Sequence, residues 1–287
     1  MINTIRSKQT IIISVVILLA VFLFTRDIKG LVKPKKQTTG VPAGGQLTSA
    51  GSTINLTEVS TAAKNSINAN LAAEITTLEN AYKTASADEQ VNAAKVLAEK
   101  WDDVEQAIPS ALYLEIVANK QRNLANWLAA GGRLMKAFDN TQDSLMSPVL
   151  LQKANVAYTN AVALDSASLE AKTGLGVTIV NGMGAPMSGI AMLLDVVKKD
   201  PKNLKANMSL GTFAIKSGQF DKAITRFNSI IAIQPSPDAY FYLATAYENL
   251  GKNKEAVEAY LNSKKLAANP TLSTFIDKKV AELKNKN

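Results

Sequence analysis

The 287-residue sequence contains no cysteine and no histidine. Their absence removes disulfides, thiol nucleophiles, zinc sites with nitrogen or sulfur ligands, and Ser-His or Cys-His catalytic pairs. It also leaves no residue for the acyl anchor of a lipoprotein. Aromatic residues are scarce at 6%. No Asp-rich loop suggests a metal site built from carboxylates alone, and no metal or other cofactor is expected. Alanine is abundant, which favours helices packed closely through small side chains. The length allows one large domain or two small ones with a sizeable core.

The net charge of +8 would invite a nucleic-acid partner if it were spread over a folded domain. It is not. Arg6, Lys8, Arg26, Lys29, Lys33, Lys35 and Lys36 lie in the first 36 residues against a single acid, Asp27. The remaining 251 residues carry 25 basic and 23 acidic side chains. The excess charge flanks an apolar run, where anionic lipid headgroups are the natural counterpart, and no nucleic-acid partner is expected.

That run extends from Ile11 to Phe24, interrupted only by Ser14. With Thr10 and Thr25 it would span roughly 24 Å as a helix, slightly short of a hydrocarbon core of about 30 Å. Lys8 and Arg26 are placed to snorkel across the difference. The expectation is a single-pass transmembrane anchor over residues 10–26, behind a short basic tail at 1–9. The competing reading is a cleaved signal peptide. Thr25-Arg26-Asp27 is unsuitable for cleavage, and the small-residue pattern Val41-Pro42-Ala43 lies far downstream. The count of flanking positive charges would keep the C-terminal part in the cytoplasm. Bacterial proteins of this layout usually export it. The periplasmic side of a bacterial inner membrane is the expectation, with the cytoplasmic side left open. Residues 27–56, basic and then rich in Gly, Ser and Thr, read as a flexible linker.

Beyond residue 57 the apolar period is helical. Residues 57–107 read as two helices, with Leu71, Ile75, Leu78 and Tyr82 on one face, within an N-terminal segment 57–124 that is a divergent repeat or a cap. Further on, the pair Leu175-Gly176 recurs as Leu210-Gly211 and again as Leu243-Ala244. A second series follows each pair: Gly189, Leu193, Val196, Pro201; Ala223, Phe227, Ile230, Pro235; and Ala256, Tyr260, Ser263, Pro270. Gly218 and Gly251 mark turns between the two helices of their units. Small residues let paired helices approach, large ones fill the space between units, and proline ends the second helix.

This pattern resembles the tetratricopeptide repeat, a helix-turn-helix unit of 34 residues. The resemblance implies an all-α superhelix, an α-solenoid, with repeats at 170–203, 204–236 and 237–270. A degenerate unit stands at 125–169, where Trp127, Ala130 and Gly131 fit a first helix and Ala154, Tyr158 and Ala161 a second. About eleven extra residues separate the two, around Asp139–Val149. Leu272, Phe275, Ile276, Val280 and Leu283 mark an amphipathic capping helix at 271–287.

The resemblance further implies a concave groove, lined by the first helices, that binds a protein or peptide partner. Its positions fall on Thr173, Val177 and Asn181; on Lys205, Met208, Thr212, Ile215 and Lys216; and on Asp238, Phe241, Thr245, Glu248 and Asn249. The carboxylate clamp found in some family members is absent, because its positions hold Thr173, Val177, Ser209, Asp238 and Tyr242. A hydrophobic or amphipathic peptide is expected instead.

No enzymatic constellation stands out. Gly182-Met183-Gly184 completes no nucleotide-binding pattern and follows a helix. No Ser-x-x-Lys motif occurs. Asp102, Asp103 and Glu105 read as a solvated, lysine-paired face, and Trp101 and Trp127 as core anchors. The expectation is a non-enzymatic membrane-tethered scaffold. The alternative is an assembly factor or chaperone-like subunit of an envelope complex, of the cytochrome c maturation or translocon-associated type.

Overall fold

The computed structural model describes residues 54–285. The expected membrane span at 10–26 and nearly all of the linker lie outside the described residues. Among those described, no helix is long and apolar enough to cross a membrane.

The described residues form thirteen helices and no strand. Four open the array: α1 (Leu56–Lys64), α2 (Ala69–Thr84), α3 (Ala87–Asp103) and α4 (Ala107–Lys120). Two long helices follow, α5 (Leu124–Asn140) and α6 (Met146–Leu164). Three pairs come next: α7 (Leu169–Val180) with α8 (Pro186–Lys199), α9 (Leu204–Lys216) with α10 (Phe220–Ile233), and α11 (Pro237–Asn249) with α12 (Asn253–Leu266). The last helix is α13 (Pro270–Lys284).

The two-helix reading of 57–107 is corrected to three, because local hydrogen bonds start a new helix twice. The Asn68 side chain accepts from the Asn70 N–H at 2.8 Å and opens α2. Glu89 accepts from both the N–H and the hydroxyl of Ser86, at 3.1 and 2.7 Å, and opens α3. The apolar face read from Leu71 to Tyr82 does lie on one helix, with Ile75 wholly buried.

The repeat arithmetic resolves into side-chain contacts. A methyl group added at Gly211 would lie 2.7 Å from the Phe227 ring, and one at Gly176 would lie 2.9 Å from Leu193. Each glycine is therefore where the second helix of its pair rests. Gly131 lies under Tyr158 in the same way, at 2.9 Å. The extra residues of that unit form helix rather than loop. α5 and α6 have 17 and 19 residues, against 13 and 14 in α9 and α10. The added helix, about one turn on each member of the pair, lies beyond the Gly131–Tyr158 contact and leaves it in place.

Between the paired helices, Gly218 and Gly251 adopt φ of 72° and 70°, the left-handed conformation that ends a helix at least cost to glycine. Buried polar groups tie successive elements together. The Asn207 amide donates to the carbonyls of Pro201 and Asn203, both at 3.0 Å, and its oxygen accepts from Arg226. Ser263 donates to the Pro237 carbonyl at 2.8 Å.

The core runs along the array as three clusters in chain order. One is built around Ile75, Leu97 and Trp101, the next around Trp127, Leu134, Leu150 and Leu193, and the last around Phe227, Tyr260 and Ile276. Trp101 and Trp127 are core residues, as the sequence suggested. α13 buries Ile276, Val280 and Leu283 against the last repeat, while Phe275 stays 46% exposed. Ion pairs from Lys279 to Glu248 at 2.8 Å and from Lys264 to Asp277 at 2.5 Å hold it in place.

Candidate functional site

The first helices of the repeats converge on an open cavity of about 510 Å³. α9 is its floor and supplies Lys205, Met208, Ser209, Thr212, Phe213, Ile215 and Lys216. α7 adds Val177, Val180 and Asn181 from one side, and α11 adds Phe241, Tyr242 and Thr245 from the other. α5 reaches in with Met135 and Asp139.

Nine of the thirteen residues placed in a groove from the sequence line this cavity: Val177, Asn181, Lys205, Met208, Thr212, Ile215, Lys216, Phe241 and Thr245. The other four are engaged differently. Thr173 is buried, and its hydroxyl donates to the Leu169 carbonyl one turn back at 2.7 Å. Glu248 accepts from the Tyr260 hydroxyl at 2.7 Å and pairs with Lys279 of α13, so it fastens the cap. Asn249 donates back to the Thr245 carbonyl at 2.8 Å, and Asp238 is exposed at the start of α11, outside the lining.

The sequence reading missed Met135, Asp139, Val180 and Phe213, and gave Ser209 and Tyr242 only as failed clamp positions. Asp139 enters because the added C-terminal turn of α5 carries it to the cavity, whereas Met135 stands four residues past Gly131 as Ile215 does past Gly211. Nothing in the repeat pattern marks the added turn that carries Asp139.

Aromatic rings form the wall nearest the C-terminus. Phe241 meets Tyr242, Tyr260 and Phe275 edge-on or tilted, with centroids 5.6–5.9 Å apart, and Tyr242 stacks on Phe227 at 5.6 Å. Such contacts fix the rings as a rigid surface.

Charge is sparse and perturbed. Lys205 donates to the Tyr158 hydroxyl at 3.4 Å and stands 5.6 Å over its ring. The side chain is open to the groove, yet the surrounding protein displaces water from the ammonium. That desolvation lowers its pKa, against the opposing pull of Asp139 and Glu170. Desolvation likewise raises the carboxyl of Asp139, opposed by Lys205. The Tyr242 phenol is raised by burial and then by Asp238 and Asp139. Any ligand here exchanges water for a mixed surface of methionine, aromatic rings, hydroxyls, the separated Lys205 and Asp139, and at the end of α9 the exposed ammonium of Lys216.

A second cavity, of about 370 Å³, lies among α1, α4, α5 and the start of α6, lined by Val59, Ala62, Ile108, Pro109 and Met146 among others. It lies apart from the faces of α7, α9 and α11.

Comparison with known proteins agrees with this geometry. The model of the tetratricopeptide repeat matches residues 238–266, the span of α11 and α12. No curated protein matches the sequence. Among solved structures, TTC0263, a thermophilic tetratricopeptide-repeat protein of Thermus thermophilus, superimposes with a TM-score of 0.54 at 15% identity, covering 67% of this chain and 99% of its own. Looser matches are MamA, at 0.44, 22% identity and coverage of 58% and 92%, and YrrB, at 0.43, 14% identity and coverage of 70% and 97%. YrrB is described as a tetratricopeptide-repeat protein with an unusual peptide-binding site. At these identities the likeness to TTC0263 is one of fold, and the two looser matches carry no argument about this chain. The chain thus bears a tetratricopeptide repeat at 238–266 and builds its described helices into the tetratricopeptide-repeat fold.

Proposed function

We propose that this protein is a non-enzymatic scaffold that holds a polypeptide partner in the cavity framed by α5, α7, α9 and α11. The observation that carries this reading is the convergence on one cavity of nine residues that the repeat resemblance assigns to a groove. Its mixture of apolar shelf, rigid aromatic wall and few polar groups suits an extended segment better than a small polar substrate. Holding such a segment needs shape and complementary hydrogen bonds, not a reacting pair.

In the same reading residues 10–26 tether the scaffold to a bacterial inner membrane, with the repeat domain on the periplasmic side. The apolar run from Ile11 to Phe24, between Lys8 and Arg26, supports the tether. A reporter fused to the C-terminus and active only after export should be active, and activity confined to a cytoplasmic reporter would reverse the orientation.

The partner is tested by a photo-crosslinking residue placed in cells at Met208 or Phe241, with Leu194 as the control. Leu194 is exposed on α8 and outside the cavity lining. The same polypeptide segment should be trapped from both groove positions and not from Leu194. Lipid alone at both, or the same products from all three positions, would sink the reading. The identity of the trapped chain would also sort a general adaptor from an assembly factor of an envelope complex.

A further inference from the structure

Asp139 and Lys205 face one cavity from units of different regularity, Asp139 from the last turn of α5 and Lys205 from the first turn of α9. Each lies near enough to influence the other's protonation. Among the described residues, though, neither side chain forms an ion pair, and the Asp139 carboxylate accepts no hydrogen bond. Lys205 gives one hydrogen to the Tyr158 hydroxyl, which leaves two for a ligand. A donor and an acceptor are therefore held apart in one cavity, beside the apolar surface of Met208, Ile215 and Phe241.

The charge of a fitting ligand follows from that separation. A ligand carboxylate would satisfy Lys205 but approach Asp139, with Glu170 also acting on the same lysine. A ligand ammonium would satisfy Asp139 but approach Lys205. Either adds like-charge repulsion within one cavity. A neutral group that accepts at one end and donates at the other satisfies both, and the main-chain amides of an extended chain offer both functions along their length.

We propose that the groove reads the main chain of an extended, uncharged, apolar peptide. Lys205 donates to a peptide carbonyl, Asp139 accepts from a peptide N–H, and Met208, Ile215 and Phe241 receive an apolar side chain. This rests on the cavity being a peptide site and deepens that reading by naming the class of peptide and the pair that orients it. Lys205 and Asp139 are positioning residues for the ligand backbone, so recognition tolerates changes of side chain but not of amide chemistry.

The test is titration of the purified full chain with capped nine-residue peptides that carry leucine at every third position and otherwise serine and glutamine. An acidic and a basic version replace two glutamines with glutamate or lysine. A fourth peptide is the neutral one, N-methylated at alternate amides. The neutral peptide should bind tightest, and Asp139→Ala and Lys205→Met should each weaken it about tenfold, the effect of losing one hydrogen bond to a charged group. N-methylation should weaken binding to the wild type similarly, and Asp139→Ala should then add little. Melting curves of both variants should match the wild type.

Tightest binding of the acidic peptide with a gain from Asp139→Ala would overturn the proposal, as would the mirror result for the basic peptide and Lys205→Met. So would neutral-peptide binding that neither variant alters. These outcomes spare the peptide groove itself. Binding of none of the four peptides by the wild type would bring down both readings.

Discussion

Between Leu169 and Leu266 the helices close on one another through a small residue under a large one, Gly176 with Leu193 and Gly211 with Phe227, while Ala244 and Tyr260 share the last core. Lys199–Asp195 stays within one helix, and Glu248 and Lys264 turn outward to the cap. Between Leu56 and Leu164 the pair Gly131 and Tyr158 repeats the same device, but charge ties join the helices as well. Lys64 pairs with Glu79 and Lys100 with Glu74, both at 2.7 Å, Asp102 with Arg133 and Lys136, and Lys153 with Glu115 at 2.9 Å. Periodic packing can be copied from unit to unit, since each unit needs only its neighbour. The charge ties join particular residues and are not copied. They make the N-terminal run a specific end to the array.

Packing should outweigh charge in this comparison, and the largest effect tests that ordering. Phe227 is wholly buried against Gly211, and Phe227→Ala should cost about 3–5 kcal/mol in urea denaturation followed by circular dichroism. Both tryptophans, Trp101 and Trp127, lie in the N-terminal run. Tryptophan fluorescence should therefore move less than circular dichroism in that variant. Coincident shifts would mean the two regions unfold as one and would weaken the contrast.

Glu79→Ala should come second, at about 1–3 kcal/mol. Its buried carboxylate accepts from the Ser60 hydroxyl and from Lys64, and the phenol of Tyr113, raised chiefly by burial, also feels it. Here fluorescence should respond at least as strongly as circular dichroism. A loss larger than that of Phe227→Ala would reverse the ordering.

Asp102→Asn should cost least, about 0–1 kcal/mol, since Asp102 and both partners are partly open to water. Its pH dependence is nonetheless diagnostic. Burial acts to raise the Asp102 carboxyl, but the hydrogen bond from Lys136 and the charge of Arg133 together bring it below the ordinary value. A lowered folded-state pKa stabilises fully above the unfolded value of about 3.9 and is lost as pH falls through the lowered one. The stability gap between wild type and Asp102→Asn should be constant from about pH 5 to 7 and close below about pH 4. A gap that widens in acid would assign Asp102 some other role.

The same contrast explains what was legible in the sequence. Leu210-Gly211 with Phe227, and Leu243-Ala244 with Tyr260, repeat at a fixed interval because both partners of each contact belong to one unit. α9 and α11, and most of the cavity lining they carry, could therefore be placed by residue number. Glu79, Asp102 and Glu115 find their partners 15 to 38 residues away, and no period announces those pairings. The break at Ser86 rests on one carboxylate three residues on, a local signal weaker than the apolar stripe on either side. Asp139 was hidden for a different reason: it stands on a turn of α5 that the repeat pattern does not contain. Thr173 and Glu248 sit at groove positions in the repeat, but the first is buried in the packing of α7 and the capping helix takes the second.

Everything about the groove depends on the register that puts Gly211 under Phe227 and Lys216 at the cavity. Denaturation of Gly211→Leu beside Lys216→Ala measures that register directly. Gly211→Leu should lose at least about 1–3 kcal/mol, because even a methyl group there lies 2.7 Å from the Phe227 ring. Lys216→Ala should stay within about 0.5 kcal/mol of the wild type. Equal stability of the two variants would mean that the helices pair in another register and that the groove is built from other residues.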